Sequence, residues 1–147
     1  MELRSVEELM GLLYACRGAR PDPGRGGGPA DPHTHALRTA ALLRRRRPAD
    51  KELQVAGLVS PVGVFLWPGD PAGRTATLVR PLLGARVARL VHRQAVPEPW
   101  PQDDDLLGLR QAYEEARTAV FDAGVLEDWR TVLELTAARN TRLGALD

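Results

Sequence analysis

Three histidines, one cysteine and a run of three aspartates are the residues best suited to chemistry. His33, His35 and His92 could each ligate a metal or act as a general acid or base, because imidazole titrates near neutral pH. A metal centre needs three or more convergent His, Asp, Glu or Cys side chains. His33 and His35 are two residues apart, so on a helix they project about 200° from each other and share no face. Only one of them is expected to point inward. His35 aligns with Thr39 and Leu42 on the apolar side, and His33, in a first turn, is expected to be solvated. Cys16 reads as a small, at least half-buried residue rather than a nucleophile. Asp103, Asp104 and Asp105 could cluster round a cation, but acids in a first helical turn ordinarily serve the helix dipole.

The familiar catalytic patterns are missing. The chain has no Cys-x-x-Cys, His-Glu-x-x-His or Gly-x-Ser-x-Gly. Gly26-Gly27-Gly28 is not followed by Gly-Lys-Ser/Thr and no strand precedes it, so residues 18–30 read as a flexible Gly/Pro-rich loop, not a phosphate cradle. Arg44-Arg45-Arg46-Arg47 at a helix end offsets the dipole and caps carbonyls. As a nucleic-acid footprint it is thin, since no aromatics interleave it. The net charge of +1 gives no overall field toward nucleic acid or membrane. Lys51 is the only lysine, and the wealth of Arg, Ala, Gly and Pro suggests a bacterial, GC-rich genome. A single cysteine excludes an intrachain disulfide, and the acidic, amphipathic first residues do not resemble a signal peptide. A reducing cytoplasm is therefore expected. No window approaches the roughly 18 apolar residues of a membrane span.

The elements that must position these groups are helices. At 147 residues the chain fits one domain, 1–147. Ser5 and Glu8 form a capping box ahead of Val6, Leu9, Met10, Leu13 and Tyr14 at helical spacing, with Gly18 as the stop. Asp31-Pro32 opens a second helix that runs to the arginines and stops at Pro48. Asp50 caps a third, with Leu53, Ala56 and Leu58 inward. Gly63 to Gly73 reads as an apolar loop, and 74–83 as a fourth helix with Pro81 near its end. A fifth spans 85–95. Pro97 to Pro101, with Trp100, is non-helical and could join an interface. The longest helix is expected from Asp103 to about Ala123, and the last from 125 to 143. The fold class is all-α, a bundle of about six to seven helices.

One stretch carries a family resemblance. His35-Ala36-Leu37-Arg38-Thr39-Ala40 resembles the first metal-ligand helix of HD-domain proteins, in the subgroup related to phosphonate-degrading oxygenases. In that family the next helix ends in His-Asp-Ile-Gly-His. The corresponding stretch here is Val59-Ser60-Pro61-Val62-Gly63-Val64, so Ser60 and Pro61 stand at the His-Asp positions and Val64 at the final His. Arg80-Pro81-Leu82-Leu83-Gly84 resembles the family's Pro-Leu-Phe-Gly turn, and Arg89-Leu90-Val91-His92 resembles the helix with a later His ligand. Arg130, after Trp129, occupies a ligand-Asp place. The resemblance spans about 31–131 and implies an HD-like helical bundle that has lost its metals, with Val64, Phe65, Leu66 and Trp67 refilling the vacated space. No cofactor is expected.

Two functions follow from the resemblance. The first is an accessory protein whose former metal pocket binds a small organic ligand or a protein partner, lined by Thr39, Ser60, Phe65, Trp67 and Trp129, with Arg38, Arg89 and Arg93 meeting an anionic group. The alternative is a metal-independent enzyme of specialised metabolism, catalysing a cyclisation, isomerisation or elimination with His35 and His92 as acid and base. A phosphohydrolase with a nonstandard metal site would need oxygens from Asp70, Asp103, Asp104 or Asp105.

Overall fold

A computed structural model describes residues 3–18, 31–67, 69–94 and 103–145. Among them the regular structure is entirely helical: α1 (Val6–Ala15), α2 (Pro32–Arg46), α3 (Lys51–Val59), α4 (Val62–Leu66), α5 (Pro71–Leu83), α6 (Ala85–Gln94), α7 (Asp104–Thr118), a 3-10 turn (Leu126–Trp129) and α8 (Arg130–Ala145). No described helix is long and apolar enough to cross a membrane. The glycine-rich loop and the Pro97–Pro101 stretch with Trp100 lie outside the described residues.

Five helix starts are fixed by one short polar side chain each. Ser5 Oγ accepts from the Glu8 amide, Asp31 from Thr34, Asp50 from Leu53, Asp70 from Gly73, and Asp103 from Asp105 and Leu106. Each satisfies amides that have no intrahelical partner, and each cap is worth about 1 kcal/mol. Asp31-Pro32 and Asp70-Pro71 are the same device, with proline in the first turn where no amide is needed.

Helix α2 is the centre of the molecule. Ten of its fifteen residues are buried, because α3, α4 and α7 all pack against it. Leu43, Leu53, Leu58, Leu109 and Leu133 are almost wholly enclosed, and full burial of such a side chain contributes about 1.5–3 kcal/mol. One core runs from Leu3 to Leu133. Gly57 lets α3 approach α2: a Cβ there would sit 2.5 Å from Leu43 Cδ1 and 3.1 Å from Thr39 Cγ2. Gly84, at φ +98°, ends α5 and turns the chain directly into α6.

Helix boundaries and one helix face depart from the sequence reading. Within the expected loop 63–73, α4 forms and α5 begins at Pro71, three residues before 74. Helix α7 stops at Thr118, and 119–125 runs without helix into the 3-10 turn. Helix α8 is the longest, by one residue over α2 and α7. Tyr14 leaves the buried stripe of α1 and is 44% exposed.

The arginine run is held by internal partners. Arg44 lies over the Trp129 ring at 4.9 Å and Arg45 over Phe121 at 5.6 Å. Arg46 pairs with Glu115, and Arg47 with Asp105 at 2.8 Å. Asp105 also takes Arg86, which is the hub of a network: its guanidinium donates to both oxygens of Asp50 at 2.8 and 2.9 Å and to Glu52 at 3.2 Å. The start of α3, the start of α7 and the side of α6 are thereby tied together.

Candidate functional site

The residues around His35 form packed core. His35 is 7% exposed, and its Nε2 donates to the Tyr113 carbonyl at 2.9 Å. A carbonyl only accepts, so Nε2 carries the proton. The ring lies 4.5 Å from the Tyr113 ring. Burial lowers the His35 pKa, against the smaller opposing effect of the Tyr113 hydrogen bond, so the ring is neutral at pH 7. Burial likewise raises the Tyr113 phenol. Thr39 donates to the His35 carbonyl at 2.8 Å and Ser60 to the Ala56 carbonyl at 2.6 Å, so both hydroxyls serve their own helices. Trp129 is fully buried, with an indole N–H that meets no acceptor among the described residues.

These residues do not fit a metal. Among the described residues no group of three His, Cys, Asp or Glu side chains could hold one. Arg130 turns outward to Glu7 and Glu127. Val64, expected to refill the space, is 38% exposed. Leu66 and Trp67 are half-buried against the core. The side chain of Phe65 lies outside the described set. Asp103 caps α7 and Asp105 holds arginines, so neither is left as a cluster of free carboxylate oxygens.

His92 stands elsewhere. It is exposed on α6 and lines an outer groove of about 710 Å³ between α5 and α6, with Arg74, Arg80 and Arg89 at its rim. Arg93 is exposed beside it in sequence. His35 in the core and His92 in this groove are in different surroundings, and only Arg89 of the expected ligand residues joins His92 there.

The expectation for His33 is corrected. It is 7% exposed, and its Nδ1 donates to the Leu13 carbonyl at 2.8 Å while its ring stacks on Tyr14 at 5.6 Å. Both histidines are buried, although they face apart, because α2 is enclosed on opposite sides: His33 by α1 and His35 by α7.

His33 lines a cleft of about 300 Å³ between the end of α1, the first turns of α2 and residues 121–126. Arg17 and Arg38 supply positive charge there, and Leu37, Phe121 and Leu126 supply apolar wall. Arg38 Nε is buried with no hydrogen-bond partner among the described residues. Buried guanidinium nitrogens are ordinarily satisfied, so such a group calls for an explanation. Asp31 ties the end of α1 to the start of α2, taking the Thr34 amide on one oxygen and the Gly18 amide on the other. The sequence marks Arg38 for an anion but gives no sign that His33 and Arg17 join it, since their meeting depends on how α1 lies across α2.

Cys16, nearby at the end of α1, is wholly buried. Burial, and after it the charge of Asp31, pushes its thiol up to about 11. It is protonated and unreactive at neutral pH. No family model, no curated protein and no solved structure matches this chain.

Proposed function

We propose that this chain is a binding protein of HD-like helical architecture that works without metals and holds a small organic anion in the cleft formed by Arg17, His33 and Arg38. The observation that carries the reading is the buried Arg38 Nε, without a hydrogen-bond partner among the described residues, in a cleft with one further arginine, an apolar wall and a single lining carboxylate, Asp122, that accepts from the Gly124 amide. A carboxylate seated there would accept from Arg38 in the bidentate manner that guanidinium favours. At about 300 Å³ the cleft lies at the small end of ligand pockets, which suits a compact carboxylate. The HD-like reading rests on the motif around His35 and on the all-helical order. A bacterial cytoplasm is the setting we propose, in keeping with one buried, unpaired cysteine.

The alternative, an enzyme with His35 and His92 as acid and base, needs both rings at one substrate. His35 is committed to Tyr113 in the core and His92 opens to the α5–α6 groove, which favours the binding reading. The test is a thermal-shift and calorimetric screen of aliphatic and aromatic carboxylates. A ligand at a hundred times its Kd should add about 2.7 kcal/mol of stability. Arg38→Gln should weaken that binding about tenfold or more. If no carboxylate binds, or Arg38→Gln binds as the parent does, the proposal is wrong.

A further inference from the structure

The other end of α2 carries a second, larger basic site. Its groove has a volume of about 910 Å³ and lies where the end of α2 and the start of α3 meet α6 and α8. Six cations converge on it from four helices and the α2–α3 turn: Arg46, Arg47, Lys51, Arg86, Arg139 and Arg142. Among the described residues only two carboxylates line it, Asp50 and Glu52.

The cations divide into two kinds. Arg47 and Arg86 are held by Asp50, Glu52 and Asp105, which fixes where their guanidinium planes lie. Arg46 reaches the exposed Glu115. Lys51, Arg139 and Arg142 have no ion-pair partner among the described residues, although carboxylates hold the other three. Arg139 and Arg142 are three apart on α8, so they face the same way. The carboxylates inside the groove are thus already engaged, and the three remaining cations surround open volume.

We propose that this groove binds a ligand carrying a di- or triphosphate group. A single carboxylate could meet only one or two of these cations at once. A phosphate chain presents several charges along its length and matches guanidinium forks at each. The volume falls near the upper range of small-molecule sites. Leu135, 50% exposed on the α8 wall, together with Pro48 gives the organic portion of such a ligand an apolar shoulder. The anchored Arg86 lowers the ordering cost of binding, because it is already immobilised.

The experiment is isothermal titration of the full chain with inorganic tripolyphosphate and, separately, with ATP, both without metal. The variants are Arg139→Ser with Arg142→Ser together, and Arg4→Ser, an exposed arginine outside the groove, as the charge control. Both α8 positions are exposed, and circular dichroism checks that the variant keeps its helices. The parent should bind at least one ligand, the double variant should lose about tenfold or more in affinity, and the control should match the parent. Equal affinity for the two ligands assigns recognition to the phosphate chain alone. Tighter ATP binding adds the nucleoside on Leu135, and both outcomes support the site. The proposal is overturned if neither ligand titrates, if the double variant binds as the parent does, or if only long RNA binds.

Discussion

Arg86→Met tests whether the network at the start of α3 is a working part of the fold. The substitution keeps most of the side-chain length and removes the guanidinium. It removes the ion pairs of Asp50 and Glu52 and leaves Asp105 paired with Arg47 alone among the described residues. The four side chains are between 20% and 33% exposed. A fully exposed pair is worth about 0–1 kcal/mol, whereas breaking a buried one costs about 3–5. For this intermediate burial and a bidentate contact, the expected loss is about 2 kcal/mol at pH 7. At about 3 °C per kcal/mol for a chain of this size, the melting temperature should fall by about 6 °C. The loss should also depend on pH in a defined direction. Hydrogen bonding to Arg86 holds the Asp50 carboxyl below its ordinary value of 3.8. A depressed carboxylate pKa stabilises the fold above the unfolded value and ceases to do so as pH falls through the folded value. The gap between parent and variant should therefore be full at pH 7 and shrink below about pH 4. Urea denaturation followed by circular dichroism at neutral and acid pH reads both quantities. Asp50→Asn keeps an N-cap while removing the charge, so it should cost less in the Arg86→Met background than in the parent. A loss under about 0.5 kcal/mol at pH 7, the size of an ordinary surface change, would refute the reasoning. So would a gap that does not change with pH.

Two further outcomes follow from the core. Gly57→Ala should destabilise the fold by about 1–2 kcal/mol, because the new methyl presses on Leu43 Cδ1 at 2.5 Å and the strain outweighs about 1 kcal/mol of gained helix propensity; thermal melting checks it, and a stabilised variant would show that α2 and α3 can move apart freely. His35 has its pKa lowered chiefly by burial, so its share of stability is complete above the unfolded value near 6.5 and is lost as pH falls through the folded value. Denaturation midpoints of the parent should therefore decline below about pH 6.5 more than those of His35→Gln, and parallel curves would contradict the assignment.

The parts of this fold that the sequence discloses are local ones. Ser5, Asp31 and Asp50 mark helix starts because each cap acts within three residues of itself. Asp70-Pro71 carries the same signal as Asp31-Pro32. It is obscured by the neighbouring Trp67, Pro68 and Gly69, which read as loop. Helix α4 is five residues long, too short to show a period. The burial of His33 depends on the end of α1 reaching the first turn of α2, where Leu13 and Tyr14 meet the ring, which no spacing within α2 reveals. The fate of Arg44–Arg47 is equally non-local, since Trp129, Phe121, Glu115 and Asp105 all come from later in the chain. The cleft and the basic groove are built from such distant encounters, so the residue types were visible and their assembly was not.

The one-residue turn at Gly84 also governs the order in which the chain can assemble. Helices α5 and α6 meet through a single left-handed glycine, so closing them against each other orders almost no loop. The pair can form while the rest of the chain is still open, as local contacts do in fast-folding helical proteins. Asn140 of α8 then donates to the carbonyls of Pro81 and Leu82, at 2.9 and 3.3 Å, which face it only once α5 has ended at that glycine. Helix α8, made after them, thus finds its docking point already formed by α5 and α6.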